Sequence, residues 1–544
     1  MAKRKTNKSS SSKKTINKKP IKNEVNSKRK GNKKNNKTTN KKEKEKEKEQ
    51  ENPSNNESNN EDEKKQLQTV VSKNGAIVDL FVPNQDYYHV VPAKPSQYHN
   101  PFFSCTLNYS NVARNNNKFY IIQLLQNEKD NKYYIFLRWG RVGRNGQTNL
   151  IQFSSLEDGI QFYIDKYQGK TEYGYVEIKL NYEEDKDKMN IDDKKESNES
   201  KLEKKVNELI KVLYDINSID EQMKEIGYDS SKMPLGRLSK ENLNEGMTIL
   251  KKIENVINEK EKGNLADLSS QFYTIIPHNF GFYNMAYFKI STLEEVKEKI
   301  DLLESLKDIN VISKVIKEEK ENDTKKNSLD TYYANLHCTI KAIDDKDPIY
   351  SILNQYLTTS TTLPSSPQLT LLEVFELSKE NDAPITSDNN MLLWYGTRSA
   401  NYVSLITEGF RLPSPDSPAT AFNFGKGIYF SDMSLKYANP KCFQHGKGFL
   451  MLCAVELGNV EERKAGDYNL PNTMKEGSNS IKACGMNVPD KKDDYVDKEK
   501  GYTIPIGKPI KSDAKSFFGF NQYIVYDCKK IHMKYLLKVK INNK

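Results

Sequence analysis

The chain has 544 residues, with 85 Lys/Arg against 74 Asp/Glu and a formal net charge of +11, which leaves room for about three to four domains of ~150 residues. No apolar run of about 18 residues occurs, which excludes a membrane-spanning helix, and the opening MAKRKTNKSS lacks the apolar core of a secretory signal. Six cysteines (Cys105, Cys338, Cys442, Cys453, Cys484, Cys528) lie far apart with no CxxC pair, so a disulfide framework or zinc ribbon is not expected and a reducing compartment is.

The charge is uneven. Residues 1–50 hold 20 Lys/Arg against 5 Glu, a local balance of +15, so the remainder sums to −4. Residues 1–68 are Lys, Asn, Ser and Glu with almost no apolar content. Such a segment cannot bury enough surface to offset its ordering entropy, and a disordered basic arm is predicted. Its clusters KKTINKKPIK and KRKGNKK point to nuclear import and to salt-sensitive contact with nucleic-acid phosphates; a solubilising tail is the plainer alternative. The alternating run Lys42–Glu49 is a solvated stretch. Charged stretches at 181–200 and Glu318–Ser328 read as interdomain breaks.

The first folded piece is expected over 69–180. KFYIIQLLQ puts Tyr120, Ile122 and Leu124 on one face at a spacing of two, KYYIFLRWG does the same with Tyr133, Ile135, Leu137 and Trp139, and the turn NEKDN lies between them, which predicts an antiparallel hairpin. LEDGIQFYIDKYQGK predicts a helix and YGYVEIKLNY a closing strand, giving a small α+β domain. Its informative cluster is Arg138, Trp139, Gly140 and Arg141. With Val142, Gly143 and the Lys166/Lys170 region, it resembles the WGR domain of the poly(ADP-ribose) polymerases (PARPs). An indole offers a flat stacking surface for a terminal base or sugar, and guanidiniums clamp phosphates. The resemblance implies DNA binding, strand breaks above all, through Arg138, Trp139 and Arg141. The bland alternative is a half-buried Trp flanked by surface arginines.

The second piece, 201–320, is all-α. VNELIKVLYDI, ENLNEGMTILKKIENVINEK and STLEEVKEKIDLLESLKDINVI each carry apolar residues at helical spacing. The last begins with Ser291 and Glu294, a capping-box pattern. SKMPLGRLSKENL and FYTIIPHNFG resemble the helical regulatory domain of DNA-dependent PARPs, and Asp301, Glu304 and Asp308 match that domain's substrate-blocking helix. The resemblance implies a bundle that covers the NAD⁺ site until DNA loosens it, a two-state switch. His278 is expected to be a packed structural histidine.

The third piece, 325–544, mixes short strands and few helices, which predicts a split, curved α/β sheet; no GxGxxG follows a strand. LLWYGTR, RLPSPDSPATAFNFGKGIYFSDM, NQYIVYD and KYLLKVKI resemble the PARP catalytic (ADP-ribosyltransferase) domain block by block. The predicted architecture is multidomain: a basic arm, a WGR domain, a regulatory bundle and a split-sheet transferase. The resemblance implies NAD⁺ as substrate, no metal, and transfer of ADP-ribose to protein or to a growing chain. In the family a His holds the adenosine ribose, a Tyr stacks on nicotinamide, and a Glu stabilises the oxocarbenium-like ribose.

Two of these three positions differ. The His position is Tyr395, the Tyr position is Tyr429, and the Glu position is Gln522. An amide bonds a hydroxyl but neither accepts a proton as a base nor attracts a cation. A rate loss of ~10²–10³ is expected by analogy with removing one aligned electrostatic group. Tyr437 stands where the family has a small Ser, and Pro440 where it has a second stacking Tyr. Gly396, Thr397, Asn401, Arg411, Lys426 and Gly427 match retained cofactor-binding positions. The reading is a nuclear, break-binding PARP-family protein of the DNA damage response with transfer lost or severely weakened. It could partner other PARPs or repair proteins, with no membrane role. The alternatives are an active mono- or poly-ADP-ribosyltransferase using another carboxylate, such as Glu456 or Asp527, and a nucleic-acid-binding scaffold.

Overall fold

The computed structural model describes residues 72–73, 76–179, 199–225, 238–321, 327–379, 382–415, 417–418, 422–439 and 442–542. The expected basic arm (1–68), most of the 181–200 linker, the start of SKMPLGRLSKENL and the Pro440 position lie outside them.

The N-terminal α+β domain is a sheet with one helix. Its elements are β1 (Tyr88–Val90), β2 (Ser104–Asn111), β3 (Asn116–Asn127), β4 (Tyr133–Arg141), β5 (Gln147–Phe153), α1 (Leu156–Glu172) and β6 (Val176–Glu177). The strand order is β5-β4-β3-β2-β6, with β1 also paired to β3. The alternation in KFYIIQLLQ and KYYIFLRWG becomes the β3–β4 hairpin, with Tyr120 opposite Trp139. Ser155 caps α1, its hydroxyl accepting from the Asp158 amide at 3.1 Å. The expected closing strand is shorter than YGYVEIKLNY suggests, with only Val176 and Glu177 pairing to β2.

The bundle comprises α2 (Lys204–Leu213), α3 (Ile216–Glu225), α4 (Lys240–Ile257), α5 (Leu265–Ile275), α6 (Leu293–Glu321) and α7 (Ser328–Ala334). The expected capping box sits one residue further on than Ser291/Glu294. Thr292 Oγ1 accepts from the Glu295 amide at 3.2 Å, and Glu295 Oε2 accepts from the Thr292 amide at 3.0 Å. The Ser291 amide also donates to that carboxylate at 2.8 Å, so Glu295 satisfies two of the end's free donors. Helix α6 continues to Glu321, past the start of the expected break at Glu318. Helix α7 packs on α2 through stacked Tyr214 and Tyr332, 4.6 Å between centroids.

The C-terminal part comprises β7 (Thr339–Ile343), α8 (Pro348–Thr359), β8 (Gln368–Ser378), β9 (Asn390–Tyr395), α9 (Tyr402–Glu408), β10 (Ile428–Phe430), β11 (Lys447–Glu456), β12 (Val460–Arg463), β13 (Ser480–Ala483), β14 (Tyr495–Asp497), β15 (Tyr502–Ile504), β16 (Gln522–Val525) and β17 (Ile531–Asn542). The larger sheet runs β14-β15-β9-β11-β17-β8-β7 and the smaller β10-β16-β13-β12. The split is bridged at one point, where the Trp394 amide donates to Ser431 O at 2.8 Å and the Ser431 amide returns to Trp394 O at 3.1 Å. The ends of β9, β10 and β16 therefore converge. One continuous apolar core joins Phe119 and Ile121 of β3 to Leu250 and Phe272 of the bundle and to Leu393 and Met451 of the larger sheet.

Candidate active site and nucleic-acid surface

At the convergence of β9, β10 and β16 lies a cavity of about 1040 Å³. Tyr395, Tyr429 and Gln522 all line it. Of the other matched positions, Gly396, Thr397, Asn401, Arg411, Gly427 and Tyr437 line it too, and Lys426 does not. Lys426 instead donates through Nζ to Ser414 O at 3.1 Å and Pro415 O at 2.7 Å, tying down the chain before β10. Its cation therefore braces a loop rather than facing the cavity.

The nicotinamide end, as the family resemblance assigns it, is built of rings. Tyr437 donates its hydroxyl to Tyr429 O at 2.9 Å. Its ring lies so close to Gly396 that an added Cβ there would be 2.7 Å from Tyr437 Cβ and Cγ, so only glycine fits. Tyr395 sits against Phe410 (4.9 Å between centroids), Phe430 (5.8 Å) and Tyr437 (6.3 Å). Desolvation, with the carboxylates of Asp308 and Asp301 nearby, pushes the Tyr395 phenol well above its ordinary range. Tyr429 is fixed at both functions of its hydroxyl, which donates to Gly425 O at 2.8 Å and accepts from the Phe424 amide at 2.9 Å.

Gln522 is held by its neighbours. Ser431 Oγ donates to Asn521 O at 2.8 Å. The buried Asp432 accepts from Asn521 Nδ2 at 2.7 Å and from the Tyr523 hydroxyl at 3.2 Å. Burial pushes the Asp432 carboxyl up to about 6, against these hydrogen bonds. The backbone on both sides of Gln522 is thus fixed independently of what its own side chain is.

On the other side, Asn401 Nδ2 donates to Thr397 Oγ1 at 3.0 Å. Arg411 is engaged by the bundle: its NH2 donates to Asp308 Oδ1 of α6 at 2.9 Å and to Ser404 Oγ at 3.0 Å, and its NH1 pairs with Glu408 at 2.6 Å. Desolvation pushes Asp308 up to about 6, and the Ser404 bond and Arg411 only partly offset it. A second clasp joins α3 to the C-terminal part, with Ser218 Oγ donating to Gln444 Oε1 at 2.6 Å and the Ala400 amide to Gln222 Oε1 at 3.3 Å. The carboxylates among the cavity's lining residues are Asp301, Glu304 and Asp308, all from α6. Sequence reasoning missed Lys297, Lys436 and the exposed Phe517 as lining residues; none has a local pattern that separates it from surface.

Glu456 and Asp527, the carboxylates considered as replacements, are not among the lining residues. Glu456 is buried, accepting from Thr386 Oγ1 (2.9 Å), the Ser387 amide (3.1 Å) and Lys530 Nζ (3.1 Å), and facing His532 Nε2 at 3.0 Å. Asp527 caps a short turn, accepting from the Lys529 amide at 3.0 Å. Among the described residues no group of three or more His, Cys, Asp or Glu is placed to hold a metal ion.

On the N-terminal domain the three expected DNA contacts separate. Arg138 is a correction. It is only 8% exposed, with Nε and NH2 both 2.9 Å from Oδ2 of the buried Asp79, and it is flanked by the rings of Phe81 and Phe119. An interior ion pair leaves this guanidinium no reach to an external phosphate. The alternation along β4 turns it to the opposite face from Trp139. Trp139 is half-buried and stacks on Tyr120 at 5.8 Å, and Lys170 Nζ sits 4.3 Å over the Tyr120 ring and 5.6 Å over Tyr175. Tyr120 and Tyr175 are buried and back the indole from beneath; neither was singled out as a site residue from sequence, where they read as ordinary strand residues.

Arg141 faces the bundle. It donates to Gly281 O at 3.1 Å, Tyr283 O at 3.2 Å and Asn115 O at 3.2 Å. Other bonds continue this seam: Asn108 Nδ2 to Thr274 O at 2.8 Å, the Val112 amide to Ser270 Oγ at 2.9 Å, and Asn117 Nδ2 to His278 O at 2.9 Å. His278 is buried in the seam, 2.7 Å from Ile276 O through Nδ1 and 3.1 Å from Lys299 Nζ through Nε2, and is not among the cavity-lining residues.

Comparison with known proteins gives these parts their family. Residues 103–181 match the WGR domain, 200–333 the poly(ADP-ribose) polymerase regulatory domain and 349–541 its catalytic domain. "Poly [ADP-ribose] polymerase 2" of Arabidopsis thaliana is 32% identical over 509 residues, covering 88% of this chain and 78% of that protein. The protein of the same name in Homo sapiens is 33% identical over 475 residues, covering 81% and 80%. "Poly [ADP-ribose] polymerase 2-B" of Oryza sativa subsp. japonica is 33% identical over 499 residues, covering 89% and 79%. With three domains in series and a cavity where the resemblance places one, the chain belongs to the poly(ADP-ribose) polymerase family.

Proposed function

We propose that this is a nuclear PARP-family protein of the DNA damage response that engages DNA strand breaks through its WGR domain and transfers ADP-ribose from NAD⁺ poorly or not at all. One observation carries the reading. The three positions that would do the chemistry meet in one cavity, and they supply two phenols and an amide instead of an imidazole, a phenol and a carboxylate. A departing nicotinamide leaves positive charge on its ribose, and a fixed anion beside that ribose is the most effective way to lower the barrier. Gln522 offers only a dipole there. The cavity's carboxylates sit on α6, and the regulatory helix would have to withdraw for NAD⁺ to enter, taking them with it.

The cavity volume suits a dinucleotide. Thr397, Asn401 and Arg411 would serve the adenosine side once Asp308 releases Arg411. Gly396 and Tyr429 would serve nicotinamide, with Tyr437 crowding the same space. Binding without turnover is therefore the expected behaviour, and a scaffold or competitor at breaks, alone or beside active relatives, is the expected role. Pure protein incubated with labelled NAD⁺ and nicked DNA tests it: label should stay off the protein, and robust automodification would establish the active-transferase alternative.

A further inference from the structure

The seam between the WGR sheet and the bundle carries a feature that the reading above does not use. Residues 279–290 pass from α5 to α6 as NFGFYNMAYFKI, a stretch with five aromatic rings, one lysine and no carboxylate. Phe280 and Phe288 pack inward, 4.7 Å between centroids. The other three point out: Phe282 is 89% exposed, Tyr283 70% and Tyr287 81%. Three large rings on one short segment form an apolar patch where isolated ones would be ordinary.

Two features bear on what covers the patch. First, it is fringed by guanidinium. Arg144, in the turn after β4, lies 3.9 Å over the Phe282 ring, and Arg141 grips the backbone at Gly281 and Tyr283. Second, the segment is tied to the strand that carries Trp139: Arg141, two residues after Trp139 at the end of β4, reaches across to the backbone of Gly281 and Tyr283. The approach is also fixed: at Gly143 an added Cβ would be 2.2 Å from Asn279 Oδ1, so the WGR turn and this segment are pressed together. Exposed rings interleaved with arginine, with no carboxylate to repel phosphate, are what sequence-tolerant single-strand binding requires.

We propose that Phe282, Tyr283 and Tyr287, with Arg144, form a stacking platform for unpaired bases of the single-stranded tail or gap at a DNA break. The proposal rests on the DNA-binding reading and deepens it. The duplex end would sit at Trp139, and the unpaired strand would run onto the bundle's own linker. The segment that then touches DNA leads directly into α6, which lines the catalytic cavity.

The test uses the full chain and fluorescence anisotropy with two DNAs of equal duplex length. One is blunt and the other carries a tail of about six unpaired nucleotides, within the span of known single-strand sites. The parent should prefer the tailed DNA. The triple change Phe282→Ala, Tyr283→Ala, Tyr287→Ala should lose about tenfold or more on the tailed DNA and leave blunt-end binding unchanged. Trp139→Ala should weaken both. 2-Aminopurine placed in the tail should be quenched when the parent binds, which reports stacking without any variant. A triple variant that binds tailed DNA as well as the parent, or a bound tail that stays unquenched, overturns the platform and leaves the rings as a protein-docking surface. If the parent binds neither DNA, the DNA reading itself falls.

Discussion

The two candidate regions of this molecule differ in what their side chains offer. Around Trp139 the chain keeps rings and cations on an ordered sheet: Tyr120 and Tyr175 behind the indole, Lys170 above them, and Arg141 bonded across to the bundle. Around Gln522 an ordered backbone presents two phenols and an amide to the cavity. Register still brings Tyr395, Tyr429 and Gln522 together, and Ser431 and Asp432 still clamp both neighbours of Gln522. Strand pairing decides where a side chain sits, and side-chain type decides what it does there. The shape of a pocket and its chemistry are therefore set by different features of the chain.

The largest effect should come from the buried pair behind the Trp139 surface. Asp79→Ala leaves Arg138 charged and unpaired in the interior, which should cost about 3–5 kcal/mol by urea unfolding. A loss well under 1 kcal/mol would mean that Arg138 swings out to solvent and is available to phosphate after all. The Glu456 network is the counterpart in the C-terminal sheet. Against the desolvation that would raise it, hydrogen bonds from His532, Thr386 and Lys530 hold the Glu456 carboxyl at about 2, below its ordinary 4.5, which corresponds to about 3 kcal/mol at neutral pH. That stability is present above pH 4.5 and drains as pH falls toward 2. His532 is raised above its ordinary 6.5 by Asp382 and then Glu456, so its share is complete below 6.5 and lost as pH rises through the shifted value. Resistance to urea should therefore be greatest between about pH 4.5 and pH 6.5, and Glu456→Gln should flatten the acid limb.

Smaller effects sharpen the account of the cavity. Tyr437→Ser removes the ring pressed on Gly396 and restores a hydroxyl of the family's size. A benzamide-type nicotinamide mimic should then bind about tenfold tighter by calorimetry, the value of roughly one good hydrogen bond. Unchanged affinity would mean that Tyr437 is not what limits that end. Asp308→Asn should release Arg411 and raise affinity for NAD⁺ by a few-fold at most, about 0.5 kcal/mol, because Arg411 is half exposed and its pairing is screened. A decrease would show that Asp308 helps to shape the site.

Much of this was legible in the sequence, for identifiable reasons. The spacing of two in Lys118–Gln126 and Lys132–Gly140 fixed the hairpin, because Tyr120, Ile122 and Leu124 meet Ile135 and Leu137 in one core and a slip by one residue would turn them away from it. Tyr395 and Gln522 were legible as cavity-lining because each stands at a strand end inside a short motif, and Tyr429 because its motif forms a three-residue strand beside them. What escaped depends on distant partners. Arg138 reads as a surface cation until Asp79, 59 residues away, is found beneath it. Glu456 reads as a spare carboxylate until His532 and Lys530 arrive from β17 and the turn before it. The capping pair moved by one residue because Ser291, Thr292, Glu294 and Glu295 offer two overlapping boxes, and packing of α6 selects one.

The central claim is that this cavity holds its shape without an anion able to speed transfer. Its most direct test compares the parent with the double reversion Gln522→Glu, Tyr395→His, each pure and incubated with labelled NAD⁺ and nicked DNA. The account predicts no detectable label on the parent and a gain of ~10²–10³ in the reverted protein. Label accumulating on the parent at a rate the reversion does not improve would contradict it.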